Sequence, residues 1–317
     1  MTAYLLRRLA ISLGVLAVMS VLVFLGVEAL PGDACTALLG RSATATKLAQ
    51  CRAANGLNAS VSHRLIDWAS GLLRGDLGFS IKRDKSVVDI VMPRLRNSLA
   101  LATVSSLMAF PLAIVVGVWS ARRKRTRVAR VVDTVSLVLM TLPEFVTASV
   151  LWLLFSVWLP LLPGVTMVSS NASLLDILPN IWLPAITLAL VVFAHVMRSM
   201  RASFLVTEER PFVEAARARG IAERIVVRRH ILPAALPSPI NVIAVTAAWL
   251  LTGTFVVEVV FNFPGLGRIA VDAISDRDTA LILALTLFGL VVFIASSFVS
   301  DAVTRALDPR VRAQVAS

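Results

Sequence analysis

Six stretches of this chain carry almost nothing but apolar side chains: about Leu9 to Leu30, Ser98 to Ser120, Val132 to Leu159, Ile181 to Met200, Ala234 to Phe261 and Leu281 to Val303. A helix needs roughly 20 mainly apolar residues to cross the hydrocarbon of a bilayer. The pattern therefore predicts six transmembrane helices in an all-α, polytopic membrane protein. Between the first two runs lies a more polar interval, residues 31–97. There, apolar positions return at helical spacing over Ser42 to Ala54 and Ser62 to Leu73, with Leu65, Trp68 and Leu72 on one face, while Gly71, Gly75 and Gly78 read as turns. The expected division is 1–30 for the N-terminus and first helix, 31–97 for an α-helical insertion, 98–305 for a five-helix core and 306–317 for a tail. Arg7 and Arg8 ahead of the first run imitate a signal peptide. That run is too long for one and no small-residue cleavage site closes it, so an uncleaved helix is expected.

Composition agrees with the pattern: 57% of the 317 residues are hydrophobic and only 16% charged, against roughly 25% charged in soluble domains. The net charge of +12 would suit nucleic-acid binding if it lined one polar face. Instead the basic residues interrupt apolar runs, which argues against nucleic acid and for a membrane-flanking role. Their placement also predicts orientation. The loop ARRKRTRVAR (121–130) holds six basic residues and no acid, and Arg198 to Arg229 holds eight basic residues. Arg7, Arg8, Arg305, Arg310 and Arg312 mark the two ends in the same way. Both ends and both basic loops are therefore expected in the cytoplasm. Residues 31–97 fall outside, where ten basic residues against five acids do not contradict the rule, because segments beyond roughly 60 residues escape it.

Both cysteines, Cys35 and Cys51, lie in that outer interval, where oxidation is possible. A disulfide is expected there, closing a loop of about 15 residues and stabilising it by about 3 kcal/mol; two unpaired thiols are the alternative. Neither cysteine has a second Cys or His at metal-ligand spacing. The chain has no G-x-x-x-x-G-K-[ST], H-E-x-x-H or G-x-S-x-G, and His63, His195 and His230 are scattered. No catalytic residue, metal site or cofactor of its own is therefore expected. Work against a gradient would draw on a partner or on an ion gradient.

The segment Glu214 to Leu236, EAARARGIAERIVVRRHILPAAL, places seven charges between two apolar runs. Pro211 suits a first helical turn, Glu214 complements the dipole there, and Gly220 can end the helix in the left-handed conformation. Phe212, Ala215, Ala216 and Arg219 then fall on one predicted face, with small side chains that would let another surface approach the backbone. Ile221, Ile225 and Val226 among charged residues predict a second, amphipathic helix at the membrane surface. Leu232, Pro233 and Pro237 turn the chain into the fifth span. The alternative is a solvated basic loop held by lipid headgroups.

Glu214-Ala215-Ala216, then Gly220 three residues on, then Ile231-Leu232-Pro233 resembles the EAA loop (here 201–233) of permease subunits of bacterial ABC importers. Other matches run in order along nearly the whole chain: Tyr4 to Arg8 with Leu30-Pro31-Gly32-Asp33, Gly75-Asp76-Leu77-Gly78 with Ser80, Phe261 to Gly267, and Asp308-Pro309-Arg310. They are similar to the binding-protein-dependent dipeptide and oligopeptide permease family, and the long first outer loop resembles its B-type subunit. The resemblance implies a type I ABC importer permease of six helices in a bacterial cell membrane. It implies that Phe212, Glu214, Ala215, Ala216, Arg219 and Gly220 dock on one of two cytoplasmic P-loop ATPase subunits or domains, which would bind the ATP and Mg. It further implies a homologous second permease subunit and an extracytoplasmic solute-binding protein. Glu209-Arg210-Pro211-Phe212 departs from the family's usual acidic-Tyr-Val run, although Phe212 keeps an aromatic ring there.

Ionisable groups inside spans cost several kcal/mol, roughly 2.5–3.5 at the bilayer centre, and so are functional candidates. Glu144, after Pro143, could face the pathway and attract a peptide amino group or accept bonds from backbone freed by the proline. His195 could contact substrate or bond across helices. Asp133, Glu258 and Arg198 lie nearer span ends and read as interfacial anchors. Asn262, Pro264, Gly265 and Gly267 sit in an outer turn expected to form an outer gate or the docking surface for the binding protein, with a plain interspan turn as the alternative. The same machine could carry nickel, glutathione or haem in place of peptides. A proton-coupled secondary transporter is the rival of another class, but the inverted repeat it would usually show is not detectable here. An intramembrane enzyme would need motifs that are missing.

Overall fold

In the computed structural model, residues 2–29 and 32–307 are described; Leu30, Pro31 and the closing Asp308-Pro309-Arg310 with Arg312 lie outside them. Among the described residues, four helices are long and apolar enough to cross a membrane unaided: α1 (Thr2–Glu28), α5 (Val87–Arg122), α8 (Leu174–Glu208) and α14 (Thr279–Leu307). The six expected spans are reached when each of two bent helix pairs counts as one crossing. The third apolar run is not a single straight helix: α6 (Arg127–Thr141) and the segment Glu144–Trp158 meet at 113°. The break falls at Leu142-Pro143, where Leu142 is extended at φ −74°, ψ 133°, because a proline clashes with a preceding residue in the helical region. After it, α7 (Glu144–Trp152) runs on into a π-helical turn, Leu153–Trp158.

The chain divides into two compact units. The first takes in residues 1–98, 168–172 and 264–294, joining the insertion to a distant part of the sequence. Three short helices of the insertion are each started by a side-chain cap: Asp33 for α2 (Ala34–Leu39), Thr44 for α3 (Ala45–Ala54) and Ser60 for α4 (Val61–Leu73). Each cap accepts a hydrogen bond from an otherwise orphaned backbone N–H. Gly71 lies inside α4 and not at a turn, whereas Gly75 and Gly78 do turn the chain. Cys35 and Cys51 are bridged, with Cα atoms 5.9 Å apart, so the expected disulfide is present. Beyond the all-α expectation, a two-residue antiparallel ladder pairs β1 (Phe79–Ser80) with β2 (Lys85–Ser86). It leads directly into α5, which begins well before Ser98.

That hairpin is fastened to the turn between the two helices that end this unit in sequence, α13 (Leu266–Ser275) and α14. Ser80 donates to the Asp278 carboxylate, Lys82 pairs with Asp276, and Arg83 reaches Asp276 at 2.9 Å and Asp278 at 3.5 Å. Asp278 is 2% exposed, and a buried carboxylate is tolerated only when its lone pairs are satisfied in this way. Nearby, Arg64 pairs with Glu28, tying α4 to α1.

The second unit holds residues 99–167 and 173–263 together with the end of α14. Its hub is α8, the most enclosed of the spanning helices, started by a reciprocal Ser173/Asp176 capping box and packed against α6, α7 and α12 (Pro237–Val260). Gly117 lets α5 come close to α8: a Cβ there would stand 2.8 Å from the Met197 carbonyl and 2.9 Å from the Met200 Cβ. Small residues at such crossings allow the backbone proximity that drives packing between membrane helices. Asp133 on α6 pairs with Arg201 on α8 at 3.0 Å, so it bonds across helices instead of anchoring at an interface. Glu258 is fully buried, which the interfacial reading did not anticipate.

Candidate functional site: the loop between the fourth and fifth spans

From the end of α8 the chain turns at Arg210, extended at ψ 143°, and enters α9 (Pro211–Ala218) with Pro211 at its first turn. Proline lacks the N–H that would be unsatisfied there. The helix stops at Gly220, φ +74°. Gly220 N donates to Arg217 O at 2.9 Å, and Ile221 N donates to Ala216 O at 3.3 Å. These are the two bonds of a Schellman turn, which needs a left-handed residue between them. Ile221 then packs against the cluster that contains Ala216, the apolar contact that accompanies such turns.

The inward seam of α9 is Val213 and Ala216. Both are buried with Met200 and Phe204 of α8, Ala121 of α5, Val226 of α10 (Glu223–Val226), Val227 and Ile231 of the π-helical turn that follows it, and Ala235 of α11 (Leu232–Ala235). Ala216 thus departs from the face the sequence suggested. Phe212 (45% exposed), Glu214, Ala215 and Arg219 are exposed. Of the predicted docking residues, Phe212, Glu214, Ala215 and Arg219 remain on the surface, Gly220 ends the helix at an exposed turn, and Ala216 alone packs inward.

Sequence reasoning missed the brace around this helix. Arg217 donates to Glu223 through Nε at 3.0 Å and Nη2 at 2.8 Å, and to Glu208 at 3.2 Å; Glu208 also pairs with Lys124 at 3.5 Å. One guanidinium and its neighbours thus join α8, α9 and α10 to the turn after α5. The hydrogen bonds to Glu223, and then to Glu208, push the Arg217 guanidinium well above its ordinary value, so it stays charged. Spacings of six and nine residues across a turn give no periodic signal. Ser203 Oγ adds a bond to Ala235 O at 2.7 Å, fixing α8 to α11. The second amphipathic helix expected after Gly220 is shorter than its pattern implied, since Val227 to Ile231 is π-helical and leads through α11 into α12 with a 50° bend.

The other candidates lie elsewhere. Glu144 opens α7, half-buried, with its Oε2 enclosed and no hydrogen-bond partner among the described residues. His195 lines a cavity of about 380 Å³ between α8 and α12. Glu144 is not in that lining, so the two do not form one site. Asn262 takes the left-handed conformation, φ 50°, and ends α12 by a second Schellman turn, with Asn262 N donating to Val259 O and Phe263 N to Glu258 O. Its side chain donates to Thr166 O at 3.0 Å. In the first unit Pro264 O accepts from Asn97, and Leu266 N donates to Ser98 Oγ at 2.9 Å. Gly265 and Gly267 are buried. These residues serve as joints in the chain and offer little free surface.

Residues 113–313 match the family described as binding-protein-dependent transport system inner membrane component, and residues 1–102 match its N-terminal region. The chain belongs to this family. An oligopeptide transport system permease protein of Bacillus subtilis is 30% identical over 98% of the chain and 99% of its own length. A glutathione transport system permease protein of Escherichia coli is 32% identical over 98% and 99%, and a probable peptide ABC transporter permease of Sinorhizobium fredii 28% over 98% and 100%. Among solved structures, a methionine ABC transporter in inward-facing form aligns at TM-score 0.54 and 21% identity, covering 69% of this chain and 96% of that one. An amino acid ABC transporter aligns at TM-score 0.52 and 17% identity, covering 76% and 98%. These likenesses establish the ABC permease fold. The chain is the multi-pass membrane permease component of an ATP-driven importer, a non-catalytic transport subunit that works with ATPase and other subunits.

Proposed function

We propose that this chain is one of two homologous membrane subunits that together enclose the pathway of a peptide importer in a bacterial inner membrane. Its N- and C-termini and the two basic loops face the cytoplasm. On this reading α9 is the coupling helix, seated on one of two P-loop ATPase subunits that bind ATP and Mg, and the disulfide-bonded insertion faces an extracytoplasmic binding protein. The observation that carries the reading is the construction of α9. It is braced by Arg217, terminated by Gly220 and packed through Val213 and Ala216, yet leaves Phe212, Ala215 and Arg219 outward. An exposed aromatic beside small residues on a rigidly mounted helix suits a docking face. The peptide cargo is supported by the oligopeptide and peptide relatives. Glutathione, itself a tripeptide, is the second reading, favoured by the 32% identical relative.

Both native cysteines are joined in the disulfide, so Ala215→Cys adds a lone thiol. In the reconstituted importer that thiol should cross-link to an ATPase subunit through a short bifunctional reagent, with a yield that changes on ATP binding. Cross-links to lipid-facing probes alone would overturn the coupling role.

A further inference from the structure

The outer side of α6 carries an arrangement that nothing above uses. The helix meets the rest of its unit through Ala129 and Ser136, which are buried, and through Asp133, which pairs with Arg201. On the opposite side Arg127, Arg130, Val131, Thr134 and Val135 line an open groove of about 560 Å³, and all five are exposed. The two guanidinium groups and the Thr134 hydroxyl have no hydrogen-bond or ion-pair partner among the described residues. Their neighbours do: Lys124 pairs with Glu208, Arg123 lies over the Trp119 ring, and Arg201 holds Asp133. Threonines in other spans satisfy their hydroxyls on the carbonyl four residues back, as Thr103 and Thr187 do. Thr134 keeps its hydroxyl free for the groove.

The arginines do nothing for the helix that carries them. The first turn of α6 contains no acidic residue, and cations there oppose the macrodipole. A negative group held by both would relieve that opposition and gain charge-assisted hydrogen bonds. Past the arginines the same side of α6 continues with Val131, Val135 and Val138, which are 60%, 50% and 47% exposed. At about 1.5 Å per residue, Arg127 to Val138 spans about 16 Å. That is close to one leaflet of a hydrocarbon core about 30 Å thick. A water-soluble anion would use the arginines and leave the valines bare, and an uncharged lipid would do the reverse. A phosphate joined to acyl chains matches both ends.

We propose that the outer side of α6 is a binding site for one anionic phospholipid. Its phosphate lies against Arg127 and Arg130, the Thr134 hydroxyl donates to an ester oxygen, and an acyl chain runs over Val131, Val135 and Val138. An open groove suits this occupant, since the bilayer covers the side that the protein leaves free. The lipid balances charge on the outer side of α6 as the Asp133–Arg201 pair does on the inner side. The helix that leads into the 113° break of the third span is thereby held from both sides. The site is independent of what the importer carries. On the orientation proposed above it lies in the cytoplasmic leaflet.

The test uses the complete importer, purified in detergent, with phosphatidylglycerol and phosphatidylcholine that each carry a photoreactive group in one acyl chain. Phosphatidylglycerol should label residues 131–138 roughly ten-fold more than phosphatidylcholine, the preference that two cations at the membrane surface give an anionic lipid. Arg127→Gln/Arg130→Gln should bring the two lipids level, whereas Arg125→Gln, on the same basic loop but off the groove, should keep most of the preference. Equal labelling of wild type by both lipids overturns the inference, as does an equal loss of preference in all variants, the mark of a diffuse basic surface. Soluble glycerol phosphate that displaces the label at the lipid's own concentration would leave a headgroup site only and overturn the lipid. A thiol introduced by Val135→Cys that cross-links to another subunit and not to lipid would give the face to a protein and overturn it too. If the double variant does not assemble, salt decides on the wild type: raising it from about 0.1 to about 1 M shortens the screening length from about 10 to about 3 Å and should erase the preference. A preference indifferent to salt overturns the inference. No readout here involves cargo, so failure would leave the peptide reading untouched.

Discussion

Arg217 grips Glu223 with two parallel hydrogen bonds, 3.0 and 2.8 Å, across the turn made by Gly220. One side chain thereby fixes the angle between α9 and the segment that leads into the fifth span. The pair is partly exposed, Arg217 at 37% and Glu223 at 48%, and exposed pairs contribute only about 0–1 kcal/mol. Its value lies in geometry. Arg217→Ala should leave thermal stability in detergent nearly unchanged while substrate-stimulated ATPase activity falls several-fold. Arg217→Lys should restore little, since an ammonium cannot make the forked contact. Full stimulation in the alanine variant would show that the brace does not transmit force.

Gly220 occupies φ +74° with open space where a Cβ would stand. Substitution there is governed by backbone strain, about 1–2 kcal/mol for most residues and less for Asn. Gly220→Asn should therefore keep more coupling than Gly220→Val, read as stimulated ATPase activity in matched membranes. Equal loss in both would mean that the added side chain obstructs a partner and that the turn is not the issue.

Ala215 and Ala216 are neighbours with opposite orientations. Ala216→Leu forces extra methylenes into a packed cluster, a cost of about 1–3 kcal/mol, and should lower the melting temperature of the purified subunit. Ala215→Leu should leave that temperature unchanged and weaken coupling. A reversed pattern in the paired melting and ATPase measurements would contradict the inward seam.

In the insertion, burial acts to raise the Asp33 carboxyl, but the Thr36 backbone N–H and the Arg52 guanidinium at 2.6 Å outweigh it and hold the group below its ordinary value. The folded state thus favours the carboxylate. That contribution is complete above the ordinary carboxylate value, about 3.9, and is lost as pH falls through the lowered one. The Cys35–Cys51 bridge, whose Cys35 is fully buried, should be reduced by a phosphine reagent faster as pH drops below about 4. Asp33→Asn should flatten that pH dependence, and a profile identical to wild type would remove Asp33 from the account.

Much of this architecture could be read from local rules. Pro211 before an amphipathic turn, Gly220 after it, and two cysteines in one outer interval each act through their own backbone or their near neighbours. The break at Pro143 was also legible, since a proline demotes the residue before it, but an unbroken apolar run concealed the point. Ala216 was misassigned because a helix of two turns offers adjacent small stripes. Which of them turns inward depends on Met200, Phe204 and Ile231, which lie on neighbouring elements beyond the reach of the helix's own periodicity. Asp278 carries no local sign of its partners, since Ser80 lies 198 residues before it.

That separation also has a meaning in time. The hairpin at 79–86 cannot find its anchor until the chain has been made past Asp278. At elongation rates of about 5–20 residues per second, that delay is roughly 10–40 s. Throughout it, Ser80, Lys82 and Arg83 wait without their carboxylates while four further apolar runs enter the bilayer. Closure of the first unit is therefore among the last events of biogenesis, and a chain truncated before residue 276 would keep its early spans yet leave the insertion unfastened.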